Sequence, residues 1–305
     1  MTQFTRRKFL KSSATLAAAS AALGNMPDFL KTEKPIGIQL YSLRDDIKDG
    51  YIEDVLKGVA KIGYQFVEGY GFDPKKGKIF DKTPSEFKKM LKEYELKMPS
   101  SHFVVNTNHY DKAKKDFTDE FKKVVEGSSA LSQRYLISPF TIESDRKDAD
   151  GVKRLCEVLN RAGDYCKAQN PNLQFGYHNH EFEFKTEFGG VPMFDMMMDN
   201  LDAEKVTMEL DLCWVVFGGR NAIDLFQKYP RRFTLAHFKD LTEEGKRETA
   251  IVGEGVVDFE AILKNMSKGG IRQIIVELED YKKSPMDDIK VSYKNLRKML
   301  DKLEK

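Results

Sequence analysis

Residues 174–184 read Gln174-Phe175-Gly176-Tyr177-His178-Asn179-His180-Glu181-Phe182-Glu183-Phe184. The stretch is aromatic and bounded by turn chemistry, which reads as a β-strand, and its two imidazoles alternate with Asn179, so His178 and His180 project from one face. Polar groups on the inner face of a strand that otherwise wants burial cost energy unless they are hydrogen-bonded or bind something. Two readings follow: satisfied core histidines, or one wall of a site. The other strands decide between them.

Downstream, three apolar strands end in the same way. Val206 to Asp211 ends in Glu209-x-Asp211, Phe233 to Lys239 in His237-x-Lys239, and Gln273 to Glu279 in Glu277-x-Glu279. The single spacer residue puts each polar pair on one face. Upstream, Ile36 to Tyr41, Phe66 to Glu68, Lys97 to Val105 and Tyr135 to Ser138 read as four more strands. Helical patterns alternate with them. Tyr51 to Ile62 stops at Gly63, Pro84 to Tyr94 has Thr83 as N-cap, and Asp116 to Leu131 and Ala149 to Gln169 follow. Val191 to Asn200, Ala222 to Tyr229, Phe259 to Met266 capped by Asp258, and a last helix from about Met286 complete the series. Eight strand-then-helix units predict a single-domain (β/α)₈ TIM barrel over residues 35–304. A doubly wound sheet would want a glycine fingerprint after its first strand, and there is none.

In such a barrel the active site lies at the C-terminal ends of the strands. Four successive strands then deliver imidazoles and carboxylates to one mouth, a donor set without thiolate that suits one divalent ion, Mn²⁺ or alternatively Zn²⁺, Co²⁺ or Mg²⁺. The competing reading is an interior ion-pair network in which Lys239 neutralises Glu277 or Asp211. Glu68 and His102 add groups from strands two and three. Trp214, the only tryptophan, either lines a sugar-binding surface or packs.

Composition narrows the partners. The chain has 50 Lys+Arg and 48 Asp+Glu, but Arg6, Arg7, Lys8 and Lys11 lie in a basic, alanine-rich leader without acids. Removing those four leaves 46 basic against 48 acidic residues, no footprint for nucleic acid or an anionic membrane. Residues 1–26 read as a twin-arginine-type export signal and predict a periplasmic protein. The apolar run is too short for a membrane span. Three cysteines, Cys156, Cys166 and Cys213, exclude a disulfide-stapled fold.

The chain resembles the sugar phosphate isomerase/epimerase superfamily of xylose isomerase-like barrels. The resemblance rests on Gln39-Leu40-Tyr41-Ser42-Leu43-Arg44, the Tyr177 to Phe184 stretch, Leu210-Asp211-Leu212-Cys213-Trp214, His237-Phe238-Lys239-Asp240, Gly253-Glu254-Gly255 and Val276-Glu277. It implies one metal ion held by strands five to eight, with Asp211, His237 and Glu277 matching residue for residue. The family's fifth-strand glutamate falls at His178, so either His178 or, with the register shifted by two, His180 completes the set. His180, Glu68 and Lys239 are candidate catalytic groups, and His102, Trp214, Glu183 and Tyr41 candidate substrate contacts. The implied activity is a metal-dependent sugar isomerase or epimerase working through an enediolate. The histidine variant of strand five resembles instead the inosose dehydratase side, which implies a lyase or hydratase on a 3-keto-sugar, keto-glycoside or keto-inositol. A non-catalytic sugar binder is a third expectation, an endonuclease the least consistent with the charge, and oligomerisation is left open.

Overall fold

The computed structural model describes residues 34–303; the leader expected at residues 1–26 lies outside them. Eight parallel strands close into a barrel: β1 Ile36–Gln39, β2 Phe66–Gly69, β3 Lys97–His102, β4 Tyr135–Ser138, β5 Gln174–His178, β6 Val206–Asp211, β7 Phe233–Phe238 and β8 Gln273–Val276. Each strand pairs with its sequence neighbours, and β8 closes onto β1 through Ile36 opposite Ile274 and Ile38 opposite Val276. Sequential pairing is what short βα units with right-handed crossovers produce.

The period of two along each strand stacks two unlike layers inside the barrel. Phe66, Tyr135, Ile137, Leu235 and Ile275 form a buried apolar cluster. Two residues further along, towards the C-terminal rim, come Glu68 after Phe66, His237 after Leu235 and Glu277 after Ile275. The polar layer therefore rests on an apolar floor. Gly37 makes room for that floor, since a Cβ there would stand 2.1 Å from the Phe66 ring.

The outer helices arise where the periodicity places them. Ile52–Ile62 buries Ile52, Val55, Leu56 and Val59 and ends at Gly63 with φ 117°, a left-handed stop that favours glycine. Pro84–Glu93 starts with a capping box between Thr83 and Glu86. Ala149–Gln169 is capped by Asp148.

The sequence reading ran several strands too long. The strand at β1 stops at Gln39, whose side chain accepts the Tyr41 N–H, and Leu40–Leu43 turn into a 3₁₀ helix. At β5 it stops at His178. Asn179 bonds sideways to the backbone of Asp211, accepting from its N–H at 3.1 Å and donating to its carbonyl at 3.4 Å, so the ladder ends there. His180 thus leaves the strand, and Phe182–Lys185 form a helical turn. Four two-stranded hairpins follow β2, β3, β5 and β7; Asp116–Phe117 and Val191–Pro192, expected to begin helices, belong to two of them.

One loop motif has a structural use. The Asp240 carboxylate accepts from the backbone N–H groups of Leu241, Gly253, Gly255 and Val257. The Gly253-Glu254-Gly255 turn wraps this carboxylate, and a Cβ at Gly255 would lie 2.2 Å from the Leu241 carbonyl oxygen. Among the described residues no helix is long and apolar enough to cross a membrane.

Candidate metal and active site

The polar layer is nearly dry. Glu68, Glu209, Asp211 and His237 are 0 % exposed, and His178, Lys239 and Glu277 no more than 5 %. Burying so many ionisable groups is tolerable only if they pair or hold a cation. The structure brings together Asp211, His237 and Glu277, each offering one ligand atom within 4.8 Å of the others, and a second group of His102, His178, Glu209 and His237 on the same criterion.

The hydrogen bonds tell these groups apart. His237 lies between two carboxylates, with Nε2 2.6 Å from Glu68 and Nδ1 2.9 Å from Glu277. His178 Nδ1 lies 3.0 Å from Glu209, while its Nε2 stands 3.7 Å from Asp211 Oδ2. A carboxylate behind one imidazole nitrogen fixes the tautomer and turns the other nitrogen outward as a ligand. Glu209 stands behind His178 in this way, and Glu68 behind His237, whose Nδ1 meets Glu277 on the other side. Both outward nitrogens then face Asp211 and Glu277. His102 ties the two backing carboxylates together, its Nε2 2.7 Å from Glu209 and 3.2 Å from Glu68.

Asp211 shows the fit to an ion most directly. Its Oδ1 accepts the Trp214 N–H at 3.1 Å as the cap of the short helix Leu212–Phe217. Its Oδ2 is buried without any hydrogen bond. A buried carboxylate oxygen without a hydrogen bond is costly, and its charge partner here is the Lys239 ammonium at 3.5 Å. Two imidazoles and two carboxylates, with no sulfur, fit a borderline-to-hard divalent ion.

Proton affinities follow from the same contacts. Burial resists the charge on His102 and His237, but Glu68 and Glu209 around the first and Glu209 and Glu277 around the second reverse this; His102 rises to about 10 and His237 well above the usual imidazole range. Burial dominates at His178 and His180, lowering the first well below that range and the second to about 3, with Lys239 adding to the depression of His180. Desolvation also lifts Asp211 to about 7 against the pull of Lys239. For Glu209 the imidazoliums of His237 and His102 outweigh burial and the repulsion of Glu68, giving about 2.

Several expected site residues sit elsewhere in the chemistry than the sequence suggested. Lys239 is wholly buried and bonded to Glu277 at 3.1 Å and to Glu279, and those carboxylates outweigh burial and raise its proton affinity well above the usual lysine range. Here the ion-pair reading was right about the partner. Glu68 is sealed behind His237 and does not reach the cavity. Glu183, expected against the substrate, is 0 % exposed and accepts from the Tyr177 hydroxyl at 2.5 Å and the His180 N–H at 2.8 Å. It shapes the turn that carries His180. Trp214 is 1 % exposed, stacked under His180 at 6.0 Å and covered by Lys239 at 4.4 Å and Arg247 at 4.5 Å. It packs, because the Asp211 cap folds the helix back beneath the rim.

Above the polar layer opens a cavity of about 810 Å³ lined in its depth by His102, His178, His180, Glu277 and Glu279 and near its mouth by Tyr41. Neither ring nitrogen of His180 has a hydrogen-bond partner among the described residues, and Nδ1 is buried, so Nε2 is the nitrogen a ligand meets. Glu209 and Gln39 were missed as site residues. Glu209 was visible two positions before Asp211, but as a strand-end polar pair it gave no sign of its role behind His178.

The comparisons agree with this architecture. Residues 56–302 match the family model described as a xylose isomerase-like TIM barrel. An inosose dehydratase from Lacticaseibacillus casei is 24 % identical over 273 residues, covering 80 % of this chain and 88 % of that protein. A sugar phosphate isomerase/epimerase from Parabacteroides distasonis superposes with a TM-score of 0.76 at 28 % identity, covering 88 % of this chain and 95 % of the other. The IolI protein, solved with a zinc atom, shares the fold at TM-score 0.64 and 17 % identity over 88 % of this chain and 98 % of its own. The chain belongs to the xylose isomerase-like TIM-barrel family, a family of sugar-modifying enzymes.

Proposed function

We propose that this enzyme is a metal-dependent lyase that removes water or an alcohol from a keto-sugar or keto-inositol. The observation that carries the reading is a pair of imidazoles on one cavity wall in opposite surroundings. His180 has no partner at Nε2 among the described residues and its burial favours the neutral ring, whereas His102 Nε2 lies against the Glu209 and Glu68 carboxylates, which favour the imidazolium. Groups whose environments push their proton affinities apart are the natural base and acid of one reaction.

His178 Nε2, Asp211, His237 Nδ1 and Glu277 would hold the ion, which when bound supplies Lewis-acid polarisation of the substrate carbonyl. His180 Nε2 takes the proton from the carbon next to that carbonyl. The electron pair of the broken C–H bond becomes the new C=C bond as the C–O bond one carbon further breaks. The departing oxygen takes its proton from His102. The Nε2 of His102 is committed to Glu209, while its Nδ1 is 3.5 Å from the Gln39 amide nitrogen. Gln39 is oriented by the Tyr41 N–H on its oxygen, so when the ring is charged two donors face each other and Nδ1–H is left for a ligand. Lys239 holds Glu277, Glu279 and Asp211 in place.

Epimerisation by proton transfer needs an acid-base group on each face of the reacting carbon. Among the carboxylates of this site only Glu277 and Glu279 reach the cavity, and both bond Lys239. The inosose dehydratase likeness supports the elimination, and the isomerase/epimerase likeness keeps the alternative in view. Incubation of the metal-loaded enzyme with 3-keto-glucosides, keto-inositols and free ketoses separates the two. Release of water or aglycone with a new conjugated ketone supports the lyase. Exchange of the α-proton for deuterium with no elimination from any of them refutes it.

A further inference from the structure

The cavity has two halves built by different loops. The inner half comes from the ends of β5 and β8 and the loop after β7, with His102. The outer half comes from the segments after β1 to β4, and the catalytic reading uses none of its side chains. At about 810 Å³ the cavity lies in the upper part of the roughly 300–1,000 Å³ range of drug-sized ligand sites, more than one six-membered ring needs.

His109 stands on the wall of that outer half, 9 % exposed. Its Nδ1 accepts the Asn106 N–H at 3.1 Å. The ring therefore carries its proton on Nε2, which bonds to nothing else among the described residues and belongs to a cavity-lining side chain. The turn that carries it is fixed. Thr107 gives its N–H and hydroxyl to Asp145 at 2.8 and 2.6 Å, Thr118 N–H bonds the His109 carbonyl at 2.9 Å, and the Phe103 ring packs edge-on to the imidazole at 5.5 Å. A donor whose tautomer, ring plane and backbone are all set before a ligand arrives is preorganised. Glu120 lines the cavity close by and adds an acceptor. Tyr41 and Phe140, 42 % and 38 % exposed, are two of the few large apolar side chains left open to solvent, and both line this cavity. Aromatic faces flanked by a fixed donor and an acceptor are what a pyranose uses, with its apolar C–H face on the ring and hydroxyls that both give and take hydrogen bonds.

We propose that the outer half is a second subsite for a glycosyl ring, with His109 Nε2–H as its specificity-determining donor, so that the substrate is a keto-glycoside whose leaving group is itself a sugar. This rests on the elimination reading for what happens at the inner ring. The binding of the outer ring does not.

The test is therefore made first on binding. Calorimetry with an unoxidised glucose disaccharide and with methyl glucoside measures the preference of the metal-loaded protein for two rings over one. The wild type is expected to prefer the disaccharide by about tenfold or more, and His109→Phe, which keeps a ring on the wall but loses the donor, to cut that ratio by up to about tenfold, the weight of one hydrogen bond. Glu120→Ala, which removes the acceptor from an exposed helical position, should lower the same ratio without disturbing the core, and His109→Gln should restore part of what His109→Phe loses. Equal binding of one and two rings, or a ratio indifferent to His109 and Glu120, overturns the subsite. Turnover of the 3-keto derivatives is then measured. A His109-dependent preference with no elimination leaves the subsite standing and removes the lyase, whereas elimination without preference does the reverse.

Discussion

Replacing Lys239 by methionine removes the ammonium that holds three carboxylates together while keeping most of its aliphatic volume over Trp214. Its Nζ lies 3.1 Å from Glu277 and 3.5 Å from Asp211 and also bonds Glu279, and it is 1 % exposed. Breaking a buried ion pair by deleting one partner costs about 3–5 kcal/mol. At roughly 2 °C per kcal/mol for a chain of this size, the melting temperature should fall by about 6–10 °C. Asp211 moderates the cost, because burial already lifts its proton affinity to about 7, and a protonated Asp211 relieves part of the repulsion. The lower end of the range is expected near or below that pH. The assay is denaturant unfolding in EDTA and again in excess Mn²⁺ or Zn²⁺. An ion at 100 times its Kd stabilises the wild type by about 2.7 kcal/mol, and the variant should gain more, since the ion replaces the missing positive charge. If Lys239→Met is as stable as wild type in EDTA, the carboxylates do not depend on Lys239. If the ion stabilises neither protein, the group is a structural ion-pair network and not a metal site.

Other outcomes follow from single contacts. His180→Gln should lower kcat by about 10²–10⁴, the usual weight of a general base, while the purified protein still binds one equivalent of metal; loss of the metal would make His180 a ligand instead. Glu183 is lifted by burial to about 8, so the folded state keeps a proton that the unfolded chain releases above its ordinary carboxyl range. That contribution is full below the unfolded value and fades as pH rises through 8. Glu183→Gln should flatten the fall in stability between about pH 5 and 8, and an unchanged slope would mean the carboxyl is ionised when folded. The leader reading predicts that residues 1–30 fused to a folded reporter direct it to the periplasm, and that Arg6→Lys with Arg7→Lys blocks this; export indifferent to both arginines would refute a twin-arginine signal.

The barrel was legible because its evidence is local. Each strand is a short apolar run, and each helix carries its own start and stop, as at Thr83 and Gly63. The polar ends of strands five to eight were legible for the same reason, since the period of two projects His237 and Glu277 inward whatever the distant packing. Part of what failed depended on a partner far along the chain, since no local pattern says that Asn179 will bond Asp211 and end the strand before His180. The rest lay in three-residue turns at the strand ends, Glu183 back to the His180 N–H and Asp211 capping at Trp214, which the period-two strand reading ran straight through. The roles of Glu68 and Glu209 were hidden as well, because a carboxylate that orients an imidazole looks in sequence like one that binds the ion. The fifth strand departs from the glutamate the resemblance implied, and the geometry gives its two histidines separate duties, His178 facing the carboxylates and His180 the cavity.

The most direct test of the elimination is mass spectrometry and ultraviolet absorbance on the metal-loaded enzyme incubated with a 3-keto-glucoside in deuterated water. The account predicts loss of the aglycone or of water, a rising conjugated-ketone band, and abolition of both in His180→Gln. A ketose or epimer of unchanged mass apart from incorporated deuterium, with no leaving group released, would contradict it.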